Sequence, residues 1–219
     1  MIVGFPLIKN SARLAEILKF GDSNNQAIKQ SNNYGRDATR LEPYLCRMSF
    51  EYKHLLDNNF HPDSKVWVYQ CSRLFSVNEA LEIEEMLKEF VRQWKSHGTP
   101  VKGAAYLFFG QFIVLMADET ATGVSGCSTD SSVRLIKDIE QRFEVNMFDR
   151  TTLAFVVKDK IQLLPMNQLQ YAVDNGFITT GTIYFNNLAQ TKNELETKWM
   201  LPLRESWLAN KLSVPKSIS

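Results

Sequence analysis

Hydrophobic and polar positions follow regular patterns only after residue 64. As far as residue 157 they predict, in order, a strand, a helix, two strands, a helix and a strand. The first helix begins at a capping box, because Ser76 and Glu79 have the spacing at which each side chain bonds a free N–H group of the first turn. The second helix is predicted over about 132–144 from apolar residues that recur at three and four positions. The four strands are residues 65–71, 103–109, 112–117 and 152–157.

The order β-α-β-β-α-β is typical of a ferredoxin-like arrangement, in which two helices cover one face of an antiparallel sheet. We therefore predict an α+β fold with a ferredoxin-like core. A tight turn at Gly110 and Gln111 is expected to join the two middle strands. Later apolar runs predict two extra strands, over 161–164 and 182–186, and a C-terminal helix that begins after Thr191. These elements are expected to extend the sheet or to cover its edge.

Charge and composition divide the chain into two unlike parts. The 219 residues are 44% hydrophobic, which is ordinary for one globular domain. Residues 1–47 hold seven basic and four acidic groups, a net of +3, so the total of +1 leaves −2 for the remainder. We predict a poorly ordered or loosely packed N-terminal extension over 1–47, one α+β domain over 48–212 and a frayed tail over 213–219.

The same numbers exclude several classes of function. A net charge of +1 gives no general attraction to nucleic acid or to an anionic membrane. No apolar run reaches the roughly 18–20 residues that span a bilayer, and the N-terminus lacks the features of a signal peptide. Cys46, Cys71 and Cys127 are too widely spaced for a zinc site and too few for a disulfide scaffold. We expect a cytoplasmic protein with no metal and no cofactor.

The segment between the third strand and the second helix is the most site-like part of the sequence. Its small polar residues would gather hydroxyl and N–H groups at the positive end of the helix dipole, with the N-cap at Asp130 or Ser131. That setting suits a phosphate or carboxylate, so we predict binding of a small anionic ligand or a protein partner. The predicted ligand-binding residues are Gly123, Ser125, Gly126, Ser128, Thr129, Asp130 and Ser131. The alternative interpretation is a long loop that leads into a well-capped helix without a ligand.

A second hypothesis makes the chain an enzyme. The helix dipole would lower the pKa of Cys127 and make its thiol more nucleophilic, with Asp118 and Glu119 as acid–base groups. The sequence places no histidine near this cysteine. It also lacks the G-x-x-x-x-G-K-[ST] phosphate loop, the G-x-G-x-x-G fingerprint and the G-x-S-x-G elbow.

A third hypothesis concerns two tryptophans near the C-terminus. Trp199 and Trp207 lie on an amphipathic segment. They either pack on the body of the domain or form an interface with a partner, since tryptophan is enriched at binding hot spots.

Five blocks of the sequence resemble one small uncharacterised family of short bacterial proteins, typical of the Bacteroidetes group and often labelled "ABC transporter ATPase". The blocks are VWVYQCSR (66–73), QFIVLMADE (111–119), SGCSTDSSVRLI (125–136), FDR (148–150) and IYFNNLAQTKNELETKW (183–199). The resemblance covers about residues 48–208 and implies no established activity. The label implies a Walker loop and a signature motif, and the sequence has neither, so an ATP-related transporter role is the disfavoured alternative. Members of the family begin close to the position of Met48, and we hypothesise that Met48 is the natural start.

Overall fold

A computed structural model describes residues 50–96, 98–118 and 126–213, with only the backbone of 126–129. The predicted extension over 1–47 and the tail after residue 213 lie outside the described residues. The α+β class is confirmed, because the described residues form both helices and sheets, and the strands of those sheets pair antiparallel. The helices are α1 (Val77–Gln93), α2 (Gly126–Phe143), α3 (Leu169–Asp174) and α4 (Lys192–Lys198). The strands are β1 (Lys65–Gln70), β2 (Lys95–Ser96), β3 (Thr99–Pro100), β4 (Lys102–Phe108), β5 (Phe112–Asp118), β6 (Thr152–Val157), β7 (Lys160–Pro165), β8 (Ile183–Phe185) and β9 (Met200–Pro202).

The first sheet has the strand order β1-β5-β4, with both pairs antiparallel. All seven residues of the central strand β5 are buried, which explains its almost continuous apolar sequence. The predicted turn between β4 and β5 is confirmed and lies one residue earlier. Phe109 and Gly110 adopt φ values of 55° and 62°, and the Gln111 N–H donates to the Phe108 carbonyl at 3.0 Å.

Each face of this sheet is covered by a different layer. Helices α1 and α2 pack on one face, where Ile83 and Ile136 meet Ile113 and Leu115. A second sheet of order β7-β6-β8-β9 lies against the other face, and Phe112 stacks on Phe185 across the interface with ring centroids 4.6 Å apart. Helix α3 and the 3₁₀ helices Leu203–Glu205 and Trp207–Lys211 cover the outer face of the second sheet.

The fourth predicted strand does not complete a ferredoxin-like sheet. The first three strands have the expected order, but β6 lies between β7 and β8 in the second sheet. The strand β6 pairs locally with β7 through the turn at Lys158 and Asp159, both of positive φ. Part of the β1 edge is occupied by another segment, because the Val66 N–H donates to the Gln190 carbonyl at 2.8 Å.

Helix α2 begins about six residues before the predicted start. The predicted N-cap at Asp130 or Ser131 is therefore wrong, because both residues lie inside the helix, where backbone N–H groups bond to carbonyls four residues back. The polar residues of the first turns carry no apolar periodicity, so the sequence pattern could not show that they are helical. Ser132 is fully buried and anchors this part of α2 to the domain.

The predicted capping box at the start of α1 is confirmed and carries an additional ion pair. The Ser76 hydroxyl accepts from the Glu79 N–H, and the Glu79 carboxylate accepts from the Ser76 N–H. Arg73 donates to both carboxylate oxygens of Glu79 at 2.8 and 2.9 Å. Arg73 also donates to the Phe143 carbonyl at the end of α2. One carboxylate therefore orders the start of α1 and holds the arginine that joins the two helices.

We expect Glu79→Gln to lower the free energy of unfolding by about 1 kcal/mol at pH 7. Hydrogen bonds from Arg73 and from the Ser76 backbone lower the pKa of Glu79 from 4.5 to about 2. The carboxylate therefore contributes its stabilisation above about pH 4.5 and loses it as the pH falls to about 2. Glutamine keeps one oxygen that accepts from the Ser76 N–H, and it removes the charge together with one of the two hydrogen bonds from Arg73.

Urea unfolding of both proteins from pH 7 to pH 2 measures this effect. The difference between them should shrink below about pH 4.5 and disappear near pH 2. Glu205→Gln, at an exposed ion pair, is the control and should change stability by less than about 0.5 kcal/mol. A difference that is independent of pH would contradict the assignment.

Candidate functional site

A cleft runs along the outer edge of β1, and we call it the β1-edge cleft. Its outer part has a volume of about 470 Å³ and lies between β1 and residues 187–191. A smaller recess of about 70 Å³ continues inward between β1 and residues 147–153. The two parts share Val68, Tyr69, Arg150, Asn187 and Leu188. They therefore form one continuous depression in the surface.

Hydrogen bonds close the two ends of the β1 edge. At one end Val66 donates to Gln190, and the Lys192 N–H donates to the Ser64 carbonyl at 2.9 Å. At the other end the Ser72 N–H donates to the Asn146 carbonyl at 2.9 Å. Between these contacts the strand faces the cleft, with Val68 at the centre.

A chain of side-chain hydrogen bonds fixes the cleft walls. The Trp199 indole donates to Asn187 Oδ1 at 3.1 Å, and Asn187 Nδ2 donates to Gln70 Oε1 at 2.8 Å. Gln70 Nε2 then donates to the Thr152 carbonyl at 3.1 Å. The chain joins both opposing segments to β1, so the cleft is pre-formed rather than dependent on a ligand for its shape.

Charged groups of both signs line the cleft. Lys65 and Arg150 supply positive charge, and Asp63 and Asp149 supply negative charge. Both carboxylates already have partners: Asp63 Oδ2 lies 3.6 Å from His61 Nδ1, and Asp149 accepts hydrogen bonds from the hydroxyls of Thr151 and Thr152. Those threonine bonds lower the pKa of Asp149 to about 2. Within the described part of the chain, Arg150 makes no ion pair with a carboxylate.

Tyr69 connects the cleft to helix α2. Its ring packs edge-on against Phe148, with centroids 5.6 Å apart. Its hydroxyl is hydrogen-bonded to Ser132 in α2, but burial raises the pKa of Tyr69 overall. The phenol is therefore neutral at physiological pH, and it lies near the charge of Arg150.

Two further aromatic side chains line the inner recess. Burial raises the pKa of Tyr184 to about 12, so its hydroxyl stays protonated. Trp207 lies beside this tyrosine. Its buried indole N–H has no acceptor in hydrogen-bonding geometry among the residues that the structure describes. The recess is therefore lined by these two aromatic side chains together with the polar side chains of Arg150 and Asn187.

The predicted catalytic and ligand-binding residues lie apart from this cleft or outside the described residues. Asp118 is only 3% exposed, and its carboxylate is paired with the Lys102 ammonium at 2.7 Å, an arrangement typical of a structural ion pair. Asp130 is exposed and Ser131 is half-buried on α2, which begins at Gly126. The remaining predicted positions, Glu119, Gly123 and Ser125 and the side chains of Cys127, Ser128 and Thr129, lie outside the described residues.

The two tryptophans have different environments. Trp199 is fully buried in the domain's own core, so its predicted interface role is wrong: an indole without exposed surface cannot contact a partner. The packing alternative is the correct one for this residue. Trp207 is half-buried and lines the recess.

Sequence reasoning missed the residues that form the cleft. Lys65, Arg150 and Asn187 come from three distant segments, and no spacing rule relates them. The sequence gives one indication of these residues: the segment FDR (148–150) and the two asparagines at 186–187 lie inside the blocks that resemble the bacterial family.

Fold and site together define a class: an α+β domain of two packed antiparallel sheets with a cleft at a sheet edge. Comparisons with known protein families, with curated proteins and with solved structures gave no match.

In the described ranges, no group of three or more histidine, cysteine, aspartate or glutamate side chains is placed to hold a metal ion. Within the same ranges, every helix is too short or too polar to cross a bilayer.

Proposed function

We propose that this chain is a binding domain that holds an anionic group of its ligand in the β1-edge cleft. The observation that carries the proposal is Arg150, a guanidinium at the cleft with no carboxylate partner in the described structure. A guanidinium binds carboxylate and phosphate through parallel hydrogen bonds. Lys65 lines the same cleft, and its positive charge would add to the attraction.

The N-terminal end of α2 forms a second part of the proposal. The 118–132 segment was predicted to bind an anion at the positive end of this helix. Ser132 bonds to Tyr69, which lines the cleft, so the first turns of α2 are connected to the site through one side chain. We propose that the 118–132 segment binds a second anion at the positive end of this helix, separate from the cleft.

The resemblance to the uncharacterised bacterial family remains a hypothesis about ancestry. It supplies no ligand and no activity. A cytoplasmic location also remains a proposal, based on the cysteine usage and on the N-terminal sequence.

NMR titration of the full chain with phosphate and with glutarate, at constant ionic strength, tests the function. We expect amide shifts at Tyr69, Arg150 and Asn187 in the wild type. Arg150→Gln should weaken binding by about tenfold or more, the value of a charge-assisted hydrogen bond. Arg134→Gln removes an exposed arginine on α2 and serves as the matched control. Shifts that are absent from the cleft, or equal in the Arg150 variant, would refute the proposal.

A further inference from the structure

Resting on the proposed function, we infer that the ligand is an extended peptide segment of another protein, with an acidic residue, that adds to the free edge of β1 as a further strand. The edge of a sheet is a template for such pairing, since it offers a row of backbone donors and acceptors. The cleft lies along that edge and has charged groups beside it.

The direction of the β1 backbone groups follows from its hydrogen bonds. In a strand, the N–H and C=O of one residue point to the same side, and successive residues alternate. Val66 bonds outward to Gln190, and Cys71 bonds inward to Gln111. The register between β1 and β5 is continuous over 65–70. Val68 and Gln70 therefore present their backbone groups to the cleft rather than to β5.

These outward groups are available for pairing. In the described parts of the chain, no hydrogen bond reaches the N–H or C=O of Val68, the C=O of Val66 or the N–H of Gln70. They alternate as acceptor, donor, acceptor and donor along the strand, which matches the backbone of an extended peptide. A simple anion could satisfy Arg150 and would leave this row unpaired.

The size of the gap limits the length of the guest strand. The occupied positions Val66 and Ser72 are six residues apart, or about 20 Å at about 3.3 Å per residue. A few residues in extended form fit this space, but a folded element does not.

The walls indicate the side chains of the guest. Arg150 and Lys65 favour an acidic residue. Leu188 and Phe148 are 52% and 36% exposed at the cleft, and large apolar side chains of this kind favour an apolar residue nearby. The preferred segment is therefore a short extended stretch that contains one acidic and one apolar residue.

Selection from a display library of random seven-residue peptides on the full chain tests the inference. We expect enriched peptides to contain aspartate or glutamate with an apolar neighbour, and to lose about tenfold or more in affinity for Arg150→Gln. The decisive measurement uses two variants of the best peptide, one N-methylated at its odd-numbered amides and one at its even-numbered amides, which we call the two methylation phases. One of the two methylation phases should abolish binding and the other should not, because only alternate N–H groups of an added strand face β1. This test changes the ligand and therefore does not depend on the folding of a variant.

Val68→Pro is the matching change in the protein. It removes an outward N–H that the fold does not use, and edge strands tolerate proline at such positions. Binding of the selected peptide should be lost, and phosphate shifts at Arg150 should remain.

Three results would overturn the inference. They are a selection without enriched peptides, equal effects of the two methylation phases, and self-association of the chain that Val68→Pro removes, which would make a second copy the occupant. If phosphate and glutarate still bind at Arg150 in any of these cases, the proposed function stands and only the peptide assignment fails. If neither anion binds, the proposed function itself fails.

Discussion

Replacement of Trp199 by alanine is expected to reduce the free energy of unfolding by about 3–5 kcal/mol. The indole is fully buried between the two sheets. Its ring centroid lies 4.7 Å from that of Tyr52, 5.4 Å from Phe112 and 5.5 Å from Phe185. Alanine would leave a cavity in this aromatic cluster, and the dense packing around it limits collapse.

The same substitution should also loosen the β1-edge cleft. Asn187 would lose the donor that orients its side-chain oxygen, and Asn187 connects the 187–191 segment to Gln70. We expect faster amide hydrogen exchange at Asn187 and Leu188 in Trp199→Ala than in wild type.

Chemical denaturation measures the main effect, with Trp207→Ala as the control. Trp207 is half-buried, so its removal should cost less than that of Trp199. Equal losses for the two variants would contradict the central position of Trp199. A loss below about 1 kcal/mol for Trp199→Ala would do the same.

Replacement of Lys102 by methionine is expected to lower the free energy of unfolding by about 2 kcal/mol. The Lys102 ammonium lies 2.7 Å from the buried carboxylate of Asp118 and 2.6 Å from the Asn59 carbonyl. Methionine keeps much of the apolar stem and removes the charge, so a buried carboxylate loses its counter-ion. The effect is below that of a fully buried pair because the lysine side chain is 47% exposed.

A double-mutant cycle separates the pair from its surroundings. Asp118→Asn removes the negative charge, so Lys102→Met should cost less in the Asp118→Asn background than in wild type. We expect a coupling free energy of about 1–2 kcal/mol from unfolding curves of the four proteins. Additive effects would show that the ion pair itself contributes nothing.

The amino-acid sequence by itself determined the local elements. The capping box at Ser76 and Glu79 specifies the start of α1 through its own side chains, and the structure has both bonds. The hairpin between β4 and β5 was visible for the same reason, since a tight turn and two apolar strands are neighbours along the chain. The start of α2 was missed because polar residues inside a helix leave no hydrophobic period to read.

Only the tertiary structure decided which strands share a sheet and where a site could form. The fourth strand of the predicted sheet could pair with β1 or with its neighbour β7, and its own sequence suits both. The local hairpin to β7 and the contacts of residues 190–192 with β1 decide the outcome. The β1-edge cleft results from that choice, because Arg150, Asn187 and Lys65 meet only when the segments around them pack. Long-range pairing depends on the whole chain, and no local pattern of residues encodes it.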